Sequence, residues 1–333
     1  NGPRSAFAVD LDGDGDMDIL SASSNDGTIA LYESDGAGSW ARNVITSTAD
    51  GARSVIALDL NGDSMPDIVY ASQNDNTIAW FENLPSMAPS TSASPTVTPL
   101  PSPKPTLPIA AIGGLWSKHT ITTEDEGAYS LYGIDLDGDG DNDVISASFG
   151  DDTIAWYEND GAGSMTQRLI WSSASNATSV FASDLDRDGD IDVVASSQGD
   201  NTIAWFESDG GAPPSWTRHV IDTYDSHPTS VTVIDLDGDG HMDVISVGDN
   251  SWGSWSSRRT VRWHMNQGNA TSWTTRHIYS SNMPNRLAQS VFATDLNGDG
   301  NNDFLVAECG SQVNWYYTNN VSIWYHFWED DVT

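Results

Sequence analysis

The sequence predicts an all-β protein, a β-propeller of about six four-stranded blades, with seven blades as the alternative. Three observations lead there. An acidic nine-residue stretch recurs six times. Short, β-branched or aromatic segments flank every copy in the same order, within a unit of close to 50 residues. No stretch of the chain carries a convincing helical period.

The acidic copies begin at Asp10, Asp59, Asp135, Asp184, Asp235 and Asp295, at spacings of 49, 76, 49, 51 and 60 residues. Each unit opens on an alternating segment such as "SVIALD" (54–59) or "SVFASD" (179–184), which reads as a first strand ending at the acidic loop. The loop leads into "DIVYAS" (67–72) or "DVVASS" (192–197), a second strand. The third is "NTIAWFE" (76–82 and 201–207), echoed by "DTIAWYE" (152–158) and "GTIALYE" (27–33). A Gly/Asp/Ser turn precedes the fourth, "WARNVI" (40–45), "WSKHTI" (116–121) or "WTRHVI" (216–221). Turn residues bound every piece, and the pieces are too short to be helices.

One segment breaks the rhythm. Residues 85–108 hold eight of the 14 prolines and nine Ser or Thr. Such a composition extends as polyproline and packs no core. The expected organisation is therefore repeats one and two over 1–83, a Pro/Ser/Thr-rich insert or linker over 84–114, and repeats three to six over 115–333, forming one propeller overall. The insert is expected to project as a loop from one blade, with a tether between two lobes as the alternative, and to invite O-glycosylation.

The acidic loop has the chemistry of a metal cage. Carboxylates crowded this closely repel unless a cation lies among them, and calcium takes six to eight oxygens from a tight loop that offers them at alternate positions. Positions 1, 3, 5 and 9 carry acidic or amide side chains. They are Asp10, Asp12, Asp14 and Asp18; Asp59, Asn61, Asp63 and Asp67; Asp135, Asp137, Asp139 and Asp143; Asp184, Asp186, Asp188 and Asp192; Asp235, Asp237, Asp239 and Asp243; and Asp295, Asn297, Asp299 and Asp303. Position 7 varies (Asp16, Met65, Asp141, Asp190, His241, Asn301), as suits a backbone carbonyl donor. Position 6 is glycine except at Ser64, so loop two, which also carries Pro66, is expected to bind most weakly. Up to six Ca²⁺ ions are expected.

The pattern D-x-[DN]-x-D-G-x-x-D between strands, followed by "ASQNDNTIAWFEN" (71–83), resembles the FG-GAP/VCBS repeats of integrin α-subunit propellers and of many secreted microbial and algal proteins. The resemblance covers nearly the whole chain outside the insert. It implies a calcium-binding propeller, extracellular, with a role in adhesion or recognition.

Composition agrees. With 48 acidic residues against 13 Lys plus Arg, the formal net charge is −35, which disfavours nucleic acid and anionic membrane surfaces. No apolar run is long enough for a membrane span. The chain starts at Asn1, as after removal of a leader or in a fragment, and Cys309 has no partner for an internal disulfide. Three N-x-[ST] sequons, at Asn176, Asn269 and Asn320, fit a secreted or cell-surface glycoprotein.

Most of the 14 tryptophans share repeat positions and read as packing residues. Trp252 and Trp255, with Arg258 and Arg259, lie in an expansion peculiar to repeat five and are the candidate ligand-contact residues. The aromatic tail at 322–331 is expected to supply the last outer strand or to pair with another subunit. The sequence shows no nucleophile elbow, zinc motif, phosphate loop or dinucleotide fingerprint, so a non-enzyme is expected. The expected role is structural, adhesive or protein-interacting, with a lectin-like module or a filament subunit as alternatives and, behind these, a polysaccharide-processing enzyme. The partners are calcium and an extracellular protein, a glycan or copies of the chain itself.

Overall fold

A computed structural model describes residues 2–84, 116–223, 227–249, 259–281, 288–308, 312–318 and 323–327. Every regular element among them is a β-strand. The strands form six four-stranded antiparallel sheets, each a simple meander of consecutive strands.

Sheet one comprises β1 (Pro3–Val9), β2 (Asp18–Ser23), β3 (Thr28–Ser34) and β4 (Trp40–Thr46). Sheet two is β5 (Ala52–Leu58), β6 (Asp67–Ser72), β7 (Thr77–Asn83) and β8 (Trp116–Thr122). Sheet three is β9 (Ala128–Ile134), β10 (Asp143–Ser148), β11 (Thr153–Asn159) and β12 (Met165–Trp171). Sheet four is β13 (Ala177–Ser183), β14 (Asp192–Ser197), β15 (Thr202–Ser208) and β16 (Trp216–Asp222). Sheet five is β17 (Pro228–Ile234), β18 (Asp243–Asp249), β19 (Arg259–Asn266) and β20 (Trp273–Ser281). Sheet six is β21 (Ala288–Thr294), β22 (Asp303–Glu308), β23 (Gln312–Thr318) and β24 (Ile323–Phe327).

The chain divides into two compact units, Asn1–Thr123 and Glu124–Thr333. The first holds sheets one and two. Its β8 lies beyond the insert in sequence yet pairs with β7, Asn83 opposite Trp116, so the paired strands bracket the insert. The second unit holds sheets three to six.

Burial explains the residue choice along each meander. Second strands such as β6, β10 and β14 are buried at every position, on both faces, and their Val, Ile and Ala are continuous rather than alternating. Outer strands alternate, as β4 does, because one face meets water. In the first unit Leu20, Ile29, Leu31, Val55, Ile68, Tyr70 and Phe81 form one core between the two sheets. In the second, Ile145, Trp156, Val180, Val193 and Phe206 join sheets three and four, while Val194, Trp205, Val231 and Val244 join sheets four and five.

Neighbouring first strands are also stitched by one repeated polar contact. The backbone N–H groups of Val55, Val180, Val231 and Val291 donate to the hydroxyls of Ser5, Ser130, Ser179 and Ser230, at 3.2–3.4 Å. The third-strand tryptophans Trp80, Trp156, Trp205 and Trp263 are buried as packing residues. The fourth-strand tryptophans behave differently. Trp116 and Trp216 pack against the core shared with the preceding sheet, whereas Trp40 is 50% exposed.

Candidate metal centres

Each acidic loop joins the first and second strands of its sheet. Its second residue is a leucine, driven inward in the first five loops. Leu11, Leu60, Leu136, Leu185 and Leu236 are all buried, which pins the loop base to the core. Two left-handed residues then fold the loop over. Gly13 and Gly15 adopt φ of +73° and +94°, and Gly138 and Gly140 adopt +74° and +101°. Loops four and two place Arg187 and Ser64 at such positions, each with φ +69°.

The folded loop is held by its own carboxylates. At position 1, Asp10 Oδ2 accepts from the Gly15 amide at 2.9 Å, and Asp135 accepts from Gly138 and Gly140 at 2.8 and 3.0 Å. Asp184, Asp235 and Asp295 repeat the arrangement. At position 3, Asp12, Asp137 and Asp186 accept from the amide two residues on, at 3.1, 3.3 and 3.2 Å. Asn61 and Asn297 do the same through their amide oxygens. Position 5 accepts from position 7, as Asp14 does from Asp16 at 2.8 Å. These local turns each engage one oxygen of the side chain at positions 3 and 5.

Position 9 is built differently. Asp18, Asp67, Asp143, Asp192, Asp243 and Asp303 are at most 2% exposed. Asp143 Oδ2 accepts from the Leu136 amide at 3.0 Å, and its Oδ1 accepts from the Asn159 amide at 2.8 Å. Asp18, Asp67, Asp192 and Asp243 make the same two bonds in their own repeats. This aspartate ties the loop base to the end of the third strand as well as facing the loop.

Four loops bring three carboxylates together: Asp10, Asp12 and Asp18; Asp135, Asp137 and Asp143; Asp184, Asp186 and Asp192; and Asp235, Asp237 and Asp239. In each, one oxygen per residue lies within 4.8 Å of the others. Calcium–oxygen distances are about 2.3–2.6 Å, so one ion can touch all three. Asp10 Oδ1 is buried with no hydrogen-bond partner, as a ligand atom awaiting a cation would be. The donors are all hard oxygens, which fits calcium. Loops two and six carry Asn61 and Asn297 in place of the second carboxylate.

Without a cation these groups are strained. Burial pushes the Asp67 carboxyl up to about 6 and those of Asp143, Asp192 and Asp243 up to about 7, against the pull of their backbone donors. Burial first, then neighbouring carboxylates, raises Asp137 and Asp237 too.

Position 7 points elsewhere. The side chains of Asp16, Asp141 and Asp190 lie so close to Gly36, Gly161 and Gly210, in the turn before the fourth strand, that a Cβ there would collide with them. His241 lies beside Gly268 at ordinary contact distance. Asn301 donates to Asp299 at 2.8 Å. Adjacent loops are also linked. Asn83 Nδ2 donates to Leu11 O and Pro66 O at 3.0 and 3.1 Å, and Asn266 Nδ2 to Leu185 O and Met242 O at 3.0 and 3.2 Å.

Among the sequons, Asn269 is exposed, while Asn176 is partly buried with φ +50° and donates to Phe149 O at 3.0 Å. Asn320, Trp252, Trp255, Arg258, Cys309 and the insert lie outside the described residues, as does the side chain of Arg259. His119 and His219 stack on Trp80 and Trp205 and bond to Glu82 and Glu207. Two polar groups were not singled out from the sequence. Asp125, 1% exposed, accepts from Ser146, Ser148 and Tyr157. Asp222, Arg262, His264 and Ser246 form a second buried network. Aligning the repeats exposes both, since Asp125 stands where its sisters have Ala49 and Ala174.

Among solved structures, the chain is similar to a candidate 6-phosphogluconolactonase from Bacteroides uniformis, at 15% identity and a TM-score of 0.55, over 96% of this chain and 83% of that one. It is also similar to a protein of unknown function from Desulfotomaculum acetoxidans, at 13% identity and TM-score 0.52, over 93% and 78%. The V. cholerae biofilm matrix protein Bap1 matches more loosely, at 14% identity and TM-score 0.45, over 98% and 69%. At these identities the first two bear on fold alone. No curated protein matches the sequence. The FG-GAP-like repeat profile matches residues 10–70, 135–195 and 184–246, a little over half of the chain and including five of the six acidic loops. On those matches and the loop geometry together, the chain belongs to the FG-GAP-like repeat family.

Proposed function

We propose that this chain is a calcium-clamped β-propeller of six blades that acts outside the cell as a structural or adhesion module. The observation that carries the reading is the set of four carboxylate triplets, built by the same loop in four repeats and strained when no cation is present. Asp10, Asp12, Asp14 and Asp18 and their counterparts in the other loops would hold the ions. Bound calcium would neutralise the cage and cross-link the loop to the buried aspartate at its end.

The setting follows from the magnitudes. Extracellular calcium modules bind with Kd of about 10⁻⁴ to 10⁻³ M. At about millimolar calcium each site then adds roughly 0.4–1.4 kcal/mol, so several together rival a domain's whole stability of about 5–15 kcal/mol. Cytosolic calcium would leave such sites empty. Six repeats of four short strands and the strongly acidic composition suit a rigid spacer or recognition platform better than a catalytic pocket. Among the described residues no helix is long and apolar enough to cross a membrane.

Thermal unfolding of the purified chain tests this reading. Adding calcium to chelated protein should raise Tm steeply in the millimolar range, with magnesium far less effective. Equal melting in chelator and in calcium would remove its basis.

A further inference from the structure

Sheets four and five depart from their sisters where they meet, and two of the departures, Asp222 and Arg262, line one open cavity. Where β7, β11 and β15 carry Ala79, Ala155 and Ala204, β19 carries Arg262. Where they carry Phe81, Tyr157 and Phe206, it carries His264. Asp222, at the end of β16, stands where β4, β8 and β12 end on Thr46, Thr122 and Trp171.

These substitutions meet. Arg262 Nη1 donates to Asp222 Oδ2 across the two sheets at 3.0 Å. His264 Nε2 lies 2.9 Å from Ser246 Oγ, and its Nδ1 lies 3.0 Å from Thr275 Oγ1 and 3.7 Å from Asp222 Oδ2. Arg262, His264 and Asp222 are 5%, 0% and 9% exposed. The equivalent contact between sheets three and four is apolar, Trp171 against Phe206 with ring centroids 5.8 Å apart. A buried ion pair seldom stabilises more than such packing does, so stability alone does not account for the exchange.

The pair lines an open cavity of about 440 Å³, together with Val220, Ile221, Thr223, Thr275 and His277. Small-molecule sites span about 300–1,000 Å³. The connectivity Ser246–His264–Asp222 is that of a hydrolytic triad, but Ser246 and His264 are both wholly buried, so no acyl substrate reaches the hydroxyl. The open cavity beside the ion pair therefore bears on binding rather than on catalysis.

Its wall sets the chemistry of the ligand. A cation would meet Arg262, and an anion would meet Asp222 within a chain of net charge −35. A neutral polyol suits both at once, its hydroxyls donating to the carboxylate and accepting from the guanidinium. Thr275 and His277 add further hydrogen-bonding groups on the same wall. We infer that the cavity between β16 and β19–β20 binds a neutral saccharide of one or two units. The inference goes beyond the proposed function and stands on residues outside the acidic loops.

Ligand-observed saturation-transfer NMR on the whole chain in calcium tests it, with neutral methyl glycosides of glucose, galactose, mannose and N-acetylglucosamine at millimolar concentration. Inorganic phosphate and citrate serve as anionic probes. The double variant Asp222→Thr/Arg262→Ala restores the residues of the sister repeats and so leaves no unpaired buried charge; its melting curve in calcium checks the fold. At least one glycoside should bind, and the double variant should lose at least about tenfold in affinity, the equivalent of about 1.4 kcal/mol. Binding of none of the glycosides, binding of the anions alone, or unchanged glycoside affinity in the double variant would each overturn the inference.

Discussion

The aspartate at the end of each loop carries two opposing loads, and Asp192→Asn separates them. Asp192 is fully buried, and its two oxygens accept from the amides of Leu185 and Ser208, both at 3.0 Å. Asparagine keeps one acceptor and turns an NH₂ toward the other amide. Leaving that buried donor unsatisfied costs about 1–3 kcal/mol. The opposing load is charge. Burial lifts the Asp192 carboxyl from 3.8 to about 7. Ionising it near neutral pH without a cation therefore works against folding by an amount on the order of 4 kcal/mol, which asparagine relieves. In chelator the two effects offset, and the variant should be as stable as the parent or more so, by up to about 3 kcal/mol. In millimolar calcium the charge is already compensated. The variant then loses the hydrogen bond and weakens its site, about 1.5–4 kcal/mol in all. At about 2–4 °C per kcal/mol for a unit of this size, Tm should fall by several degrees in calcium and hold or rise in chelator. Thermal melts by circular dichroism in the two buffers read the sign directly. An equal loss in both would show that the metal-free carboxylate carries no strain.

Two further outcomes follow from the same geometry. The folded-state carboxyls of Asp143, Asp192 and Asp243 titrate near 7, above their unfolded value, so their contribution to stability is complete below pH 4 and is lost as pH rises through 7. Chelated protein should therefore melt higher at pH 5 than at pH 8, whereas calcium-loaded protein should not; a chelated protein more stable at pH 8 would refute this. Asn83→Ala deletes the amide that joins the first two loops through Leu11 O and Pro66 O, and should lower the stability of the first unit by about 1–3 kcal/mol in urea titrations. A change below about 0.5 kcal/mol, typical of surface positions, would mean the link is idle.

Much of this was legible in the sequence because the repeat states each constraint six times. The acidic spacing, the "TIAWFE" strands and the short turns map onto the strands and loops of the structure. The buried leucine at loop position 2 and the double backbone anchor at position 9 were not evident, because an alternating run of aspartates does not say which of them faces inward. Trp40 shares its repeat position with Trp116 and Trp216 yet is half exposed, since repeat position fixes a side chain's direction and not how deeply it is packed. Arg262 and His264 do not belong to what the repeats share. Their signal lies in the positions where one repeat breaks the pattern.

The central claim is that divalent cations occupy the acidic loops. A crystal grown in calcium chloride, with anomalous data collected where calcium scatters, tests it most directly. Peaks should lie among Asp10, Asp12 and Asp18, Asp135, Asp137 and Asp143, Asp184, Asp186 and Asp192, and Asp235, Asp237 and Asp239, each with carboxylate oxygens at about 2.4 Å. Intact sheets with no anomalous peak in any of the four loops would contradict the account.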